Sequence, residues 1–159
     1  MSTLAPATET RWFTGTRCRI LVGEESHSLV EMQAAHGDMP PLHVHHGHDE
    51  IFYVLAGRMS VHLPGRRLEL GPGEAAFAPR EVPHVYRVDS EEGARWLAAT
   101  TSGEFAAFVE ETSLPADGDG YAPEGVLPAP PELVAAGARH GIEVLGPPGM
   151  LPNEGRSSI

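Results

Sequence analysis

Four histidines and two acidic residues crowd into eight positions, in the stretch HVHHGHDE that begins at His43 and ends at Glu50. His43 and His45 are two residues apart, so on a β-strand both imidazoles would point from the same face. Glu50 opens the apolar run EIFYVLA, where alternation puts Phe52 and Val54 on the same side as the carboxylate. A carboxylate among apolar side chains needs compensation, and a bound cation is the strongest form of it.

A fourth ligand could come from His84, in the segment PREVPHVYRV, on a strand face that also carries Tyr86 and Val88. Three imidazoles and one carboxylate suit a divalent first-row metal and leave one or two positions open for substrate, water or oxygen. A lone histidine is usually a surface or hydrogen-bonded residue. Here the same-face pair, the acid at the start of a strand and the distant histidine together favour a metal site.

Short strands must position these side chains. Between Arg11 and Thr101, apolar runs alternate with turns rich in glycine and proline. The runs are CRILVG, SLVEMQAA, EIFYVLAG, MSVHLPG, LELGPG, EAAFAP, PHVYRV and ARWLAATT. Several have a period of two, and the close, regular spacing predicts an all-β sandwich or barrel.

Two short helices are predicted after the strands. In GEFAAFVEETS, Phe105 and Phe108 fall at helical spacing. In PPELVAAGARHG, Pro131 marks the start of a helix and Gly141 its end. The helix at 104–111 could cover the mouth of the barrel or pack beneath a sheet, and the sequence leaves both arrangements open.

The domain organisation follows from this pattern. We predict a β-barrel over residues 11–112, and a C-terminal loop, helix and irregular tail over residues 113–159 that pack on the barrel or extend from it. The tail from Gly146 to Ile159 is expected to be irregular because it is rich in proline, glycine and serine. The sequence contains no internal repeat, so we expect one barrel rather than two.

The motifs resemble those of the cupin family. Gly37, His43, His45, Glu50 and Gly57 match the first cupin motif without a departure. A gapless match of this kind is a strong signal.

The second cupin motif is matched less completely. Gly73, Pro79 and His84 fall in place, whereas Glu81 stands where the motif has glycine and Val88 replaces its closing asparagine. Both departures concern turn geometry rather than metal ligation.

The resemblance covers roughly residues 17–101 and implies a cupin double-stranded β-helix, a jelly-roll barrel with short C-terminal helices here. It also implies a divalent transition metal (Fe, Mn, Ni, Co or Zn) on the barrel axis. The implied ligands are His43, His45, Glu50 and His84.

The other residues of the histidine cluster have weaker assignments. His46 and His48 lie in the spacer of the motif and are expected at the rim or in solvent, with His48 as an alternative hydrogen-bonding partner of the ligands. Asp49 is expected to face water.

Within the cupins, the chain is similar to small bacterial proteins related to quercetin 2,3-dioxygenase. This resemblance implies oxygen-dependent cleavage of a flavonol-like enol, with Glu50 as both a ligand and the base that takes the substrate proton. The same four ligands would also serve an oxygen-independent isomerase, cyclase or decarboxylase. A non-enzymatic small-molecule binding protein is the third alternative, which we rank last because all four ligands are present.

A planar, apolar ligand would need apolar walls. The candidate substrate-binding residues are Phe52, Val54, Met59, Phe77, Tyr86 and Trp96. Most of them fit a plain barrel core equally well. Tyr86 is the strongest candidate, because it follows His84 by two residues on the same face and carries a polar tip.

Composition excludes several other functions. The net charge of -11 argues against nucleic acid and anionic membranes as partners. All eleven basic residues are arginine, so a phosphate-binding loop with lysine and any lysine Schiff base are excluded. The lone Cys18 fits a reducing compartment, and no signal-peptide pattern or long apolar span is present, so we expect a cytoplasmic protein. Exposed barrel edges make a homodimer the default expectation.

Overall fold

Twelve strands and two helices make up residues 9–153, the part of the chain that the computed structural model describes. The first strands are β1 (Arg11–Phe13), β2 (Thr16–Gly23), β3 (Ser28–Ala34), β4 (Pro41–His45), β5 (Glu50–Ala56), β6 (Met59–Leu63), β7 (Arg66–Leu70), β8 (Ala75–Ala78), β9 (Val85–Val88) and β10 (Ala94–Thr100). They are followed by α1 (Glu104–Thr112), β11 (Leu114–Pro115), α2 (Pro130–Arg139) and β12 (Ile142–Pro148). Each apolar run singled out in the sequence lies on a strand.

The strands form two facing layers. One is a seven-stranded sheet in the order β11-β1-β2-β3-β10-β5-β8, and every pair in it is antiparallel. The other consists of the sheets β7-β6-β9 and β12-β4, which an antiparallel bridge between His43 and His84 joins. The fold is the predicted all-β jelly-roll barrel.

Alternation along the strands fills the space between the layers. On β5, Phe52 and Val54 are buried whereas Ile51 and Tyr53 are more than 40 % exposed, which confirms the predicted face of this strand. Val54 pairs with Trp96 of β10, and both are fully buried. Burying a side chain of this size stabilises the fold by roughly 1.5–3 kcal/mol.

The glycine that closes the first motif is required by a close approach of two backbones. Gly57 has a φ of 77°, and a Cβ atom there would lie 2.2 Å from the carbonyl oxygen of Gly93. Any other residue would push apart the turns that precede β6 and β10.

The C-terminal region contains a strand that the composition concealed. Residues 146–148, predicted to be irregular, belong to β12, which pairs with β4 through register shifts at Gly146 and Pro148. Strand β12 lies at the edge of its sheet, where proline and bulges are tolerated. Residues 149–153 are irregular, as predicted, and residues 154–159 lie outside the described residues. No helix in residues 9–153 is long and apolar enough to span a membrane.

Candidate metal centre

The four predicted ligands converge at one place in the barrel. His43 and His45 lie on β4, Glu50 is the first residue of β5, and His84 immediately precedes β9. One ligand atom from each residue lies within 4.8 Å of the ligand atoms of the others. The histidines come from one layer and the carboxylate from the other, so the site lies between the layers.

Backbone pairing fixes the positions of the histidines. The His84 N–H donates to the His43 carbonyl oxygen at 2.9 Å, and the His43 N–H donates to the His84 carbonyl oxygen at 3.4 Å. On its other side, β4 pairs with β12, where Ile142 lies opposite His45 and Val144 opposite His43. The C-terminal strand therefore supports the strand that carries two ligands, a contribution that the sequence analysis missed.

The orientation of the His43 ring leaves one nitrogen for a ligand. His43 Nδ1 lies 2.7 Å from the Pro41 carbonyl oxygen, which can only accept a hydrogen bond. The proton of the neutral ring is thus on Nδ1, and Nε2 keeps its lone pair. His84 is turned in the same way, with Nδ1 3.3 Å from the Val82 carbonyl oxygen and Nε2 3.0 Å from Glu50 Oε2.

His45 has a buried nitrogen without a hydrogen-bond partner. Its Nδ1 lies 2.6 Å from Nε2 of His48, which is itself 2 % exposed and so does not lie at the rim. Its Nε2 is 3.1 Å from Glu50 Oε2, but it has no partner with hydrogen-bonding geometry among the described residues. Such an orphan atom costs about 1–3 kcal/mol. A metal ion would satisfy it, so the residues present fit the implied metal.

The pKa values of His43 and Glu50 favour the protonation states that bind a cation. Burial, together with the neighbouring His84 and His45, lowers the pKa of His43 to about 3. Burial on its own would raise the pKa of Glu50, but the imidazoles of His45 and His84 outweigh it and the net pKa lies below the ordinary value. At neutral pH the site therefore holds a carboxylate and a neutral His43, the states that bind metals.

Glu81, which stands where the second cupin motif has glycine, has a structural role. Its φ is 66°, the left-handed region that explains why glycine is usual at this position, and such a conformation costs roughly 1–3 kcal/mol in another residue. The Glu81 N–H donates to the His45 carbonyl oxygen at 2.9 Å, and Oε1 accepts from the Gly47 N–H at 3.0 Å. Oε2 lies 2.5 Å from His46 Nδ1. Glu81 thus ties the turn before His84 to the loop after His45.

An apolar cavity opens beside the cluster, and about 60 Å³ of it is open to water-sized groups. Phe105 and Phe108 of α1 line the cavity, as does Leu133 of α2. The first helix therefore covers this end of the barrel as well as packing on it. The remaining lining residues are Phe13, Thr14, Met32, Pro40, Pro41, His43, His45, Glu50, Phe52, Tyr86, Ile142 and Val144.

The six predicted substrate-binding residues separate into three groups. Phe52 and Tyr86 line the cavity. Val54, Met59 and Trp96 are fully buried in the barrel core and do not line it. The structure does not bring Phe77 to the site: its side chain is 53 % exposed on the outer face of β8.

Comparisons with known proteins add to this geometry. Residues 30–100 match the family described as "Cupin domain". Quercetin 2,3-dioxygenase of Bacillus subtilis (strain 168) is 28% identical over 118 residues, which are 66% of this chain and 35% of that protein. The chain therefore spans about a third of the length of that relative.

Two solved structures resemble the fold. KdgF from Halomonas sp. aligns with a TM-score of 0.52 and 26% identity, covering 55% of this chain and 79% of the other. TT1209 from Thermus thermophilus aligns with a TM-score of 0.50 and 28% identity, covering 62% of this chain and 90% of the other.

Proposed function

Since the chain belongs to the cupin superfamily, we propose that it is a metal-dependent enzyme acting on a small, largely apolar substrate with an enol oxygen. The observation that carries this proposal is the buried Nε2 of His45 at the wall of an apolar cavity, which makes no hydrogen bond to any described residue. More specifically, we propose a dioxygenase that acts on a flavonol-like compound.

His43, His45, Glu50 and His84 would hold the divalent transition metal, and their donor set accepts Fe, Mn, Ni, Co and Zn. When bound, the metal would act as a Lewis acid that lowers the pKa of a substrate hydroxyl.

The chain's own residues would accept the substrate proton and bind the substrate ring. Glu50 is a carboxylate at neutral pH, which lets it accept the hydroxyl proton of a substrate held against the cluster. Phe52, Phe105 and Phe108 offer flat, apolar surfaces that would bind a planar ring system and exclude water.

Two features support the dioxygenase in particular. The similarity to quercetin 2,3-dioxygenase spans 66% of this chain. The cavity wall beside the ligands is mostly aromatic and aliphatic, which suits a flavonol better than a small polar acid. One fold hosts many reactions, so the response to oxygen distinguishes the reaction classes.

The test uses oxygen as the variable. Metal-loaded protein mixed with 3-hydroxyflavone under strict anaerobiosis should shift the absorbance of the compound, because the hydroxyl loses its proton at the site. Admission of air should then consume the compound with uptake of oxygen. A His84→Ala variant, which lacks one ligand, serves as the control and should show neither change.

Other outcomes would contradict the proposal in different ways. Binding without consumption in air would indicate a binding protein. Anaerobic conversion of an enol substrate, with no oxygen uptake in air, would indicate the isomerase, cyclase or decarboxylase class.

A further inference from the structure

Tyr86 is a polar residue in the mostly apolar wall of the cavity. It is 6 % exposed and follows His84 by two residues on the same face, a displacement of about 7 Å along a strand. The ring of Phe52 lies 5.9 Å from the ring of His84 and 6.3 Å from that of Tyr86. An apolar ring thus contacts both the ligand cluster and the phenol.

The hydroxyl proton of Tyr86 already takes part in a hydrogen bond within the protein. It is donated to Asp38 Oδ2 at 3.0 Å, and a phenol has only one proton. The oxygen keeps lone pairs, so toward a ligand in the cavity it can only accept a hydrogen bond.

The fold holds Asp38 firmly beside β9. The Val88 N–H donates to the Asp38 carbonyl oxygen at 3.1 Å, and the Gly37 N–H donates to the Val88 carbonyl oxygen at 2.9 Å. A Cβ atom on Gly15 would lie 2.2 Å from Asp38 Oδ1, so the turn between β1 and β2 leaves the space that this carboxylate fills. The acceptor state of Tyr86 is therefore built into the packing.

The same turn contains a strained residue that lines the cavity. Thr14 has a φ of 49°, which is rare for a β-branched residue. Backbone strain of this kind is concentrated at ligand sites. Beyond the cluster of His43, His45 and Glu50, the only polar side chains that line the cavity within residues 9–153 are Thr14 and Tyr86.

We propose that the Tyr86–Asp38 pair determines substrate specificity by accepting a hydrogen bond from a second hydroxyl on the substrate. This inference rests on the proposed function and narrows its substrate class. The substrate is a planar, apolar molecule with an enol oxygen at the ligand cluster and a hydroxyl group at the opposite end.

The test compares the affinities of three compounds for the metal-loaded protein: 3-hydroxyflavone and its 4′- and 7-hydroxylated analogues. The wild type should bind at least one hydroxylated analogue more tightly than 3-hydroxyflavone. In Tyr86→Phe, which keeps the ring, this preference should fall about 3- to 10-fold, as expected for the loss of one hydrogen bond. Tyr53→Phe, at a 42 % exposed position on the outer face, is the matched control and should keep the preference.

A second variant converts the Tyr86 hydroxyl from a hydrogen-bond acceptor into a donor toward the substrate. Asp38→Ala frees the Tyr86 proton for donation, so the preference should move from the hydroxylated analogue toward its methoxy counterpart, which only accepts. Circular dichroism and metal content would verify that both variants fold.

The outcomes distinguish the two proposals. If the wild type binds all three compounds and its preference is unchanged in Tyr86→Phe, the specificity role of the pair is wrong while the proposed function stands. If the wild type binds none of them, both proposals fail.

Discussion

Two sets of histidines in this protein differ in the number of carboxylates around them. Three imidazoles at the metal centre share one carboxylate, that of Glu50. At the surface, His46 and His140 have two carboxylates each. This difference separates ligands from structural residues better than sequence position does, since His46 is adjacent to a ligand.

The surface histidines use both ring nitrogens to join elements. His46 lies between Glu81 and Glu143 and so connects the turn before β9 with β12. His140, at the end of α2, is bonded through Nδ1 at 2.7 Å and Nε2 at 2.6 Å to two carboxylates of α1, Glu104 and Glu111. Neither ring has a nitrogen left for a metal.

The buried set is short of acceptors. The Nε2 atoms of His45 and His84 lie 3.1 and 3.0 Å from the same oxygen of Glu50. Two buried imidazoles share this oxygen, and Nε2 of His45 still has no hydrogen bond among the described residues, so the set is incomplete without a cation. The unsatisfied Nε2 of His45 therefore distinguishes this set from the surface histidines.

The largest effect should come from removing a member of the buried set. Replacing His43, His45 or His84 with alanine should abolish stoichiometric metal binding, because each change deletes one of four donors. Elemental analysis after loading with Co²⁺ measures this. His46→Ala is the control from the other set and should retain one metal per chain. Full occupancy in His84→Ala would contradict the four-ligand site.

A loss in turnover should follow from changing the shared carboxylate. Glu50→Gln keeps the shape and one coordinating oxygen but removes basicity. Turnover should fall by about 10²–10⁴-fold, more than metal content falls. Near-normal turnover in a metal-loaded Glu50→Gln protein would rule out the role of Glu50 as a base.

A smaller loss should follow from removing the partner of one ligand. His48→Phe deletes the acceptor that orients His45, and metal affinity should fall by about 10–100-fold, as is usual for partners of metal-bound histidines. His48→Gln retains an acceptor and should recover most of this affinity. Competition titration and the visible spectrum of the Co²⁺ protein report the difference. Equal affinity in His48→Phe and the wild type would show that the contact is incidental.

In the metal-free protein, the pKa values of His43 and His48 should shift in the opposite direction from that of His46. Burial lowers the pKa of His43 to about 3 and that of His48 to about 4, whereas hydrogen bonds to Glu143 and Glu81 raise the pKa of His46. As the pH falls, the imidazoles of His43 and His48 therefore become protonated in the unfolded chain before they do in the folded protein. Their contribution to stability is complete above about pH 6.5 and declines as pH falls toward the folded values.

The contribution of His46 has the opposite sign. It is present below about pH 6.5 and disappears as pH rises through the folded pKa. Nuclear magnetic resonance of the imidazole carbons in a pH series measures all three values. A pKa for His46 at or below that of His43 would contradict the distinction between the sets.

Much of this could be predicted from sequence, because alternation and motif spacing are local. The strands, the inward face of β5 and the convergence of His43, His45, Glu50 and His84 all follow from them.

The remainder depends on pairing between distant segments. Phe77 pairs with Ile51, so the register of β5 with β8 places it on the outer face. Strand β12 exists because β4 offers it a partner, despite its prolines. In the sequence, Glu81 was visible only as a departure from a motif. The positive φ angle explains why glycine is usual at this position, and the structure shows that Glu81 supports the ligand loop.

The most direct test is a crystal structure of the Co²⁺-loaded protein with anomalous data collected at the cobalt edge. We predict one strong peak per chain, at about 2.0–2.2 Å from Nε2 of His43, His45 and His84 and from a carboxylate oxygen of Glu50. A peak beside His46, with none between the four predicted ligands, would contradict the account.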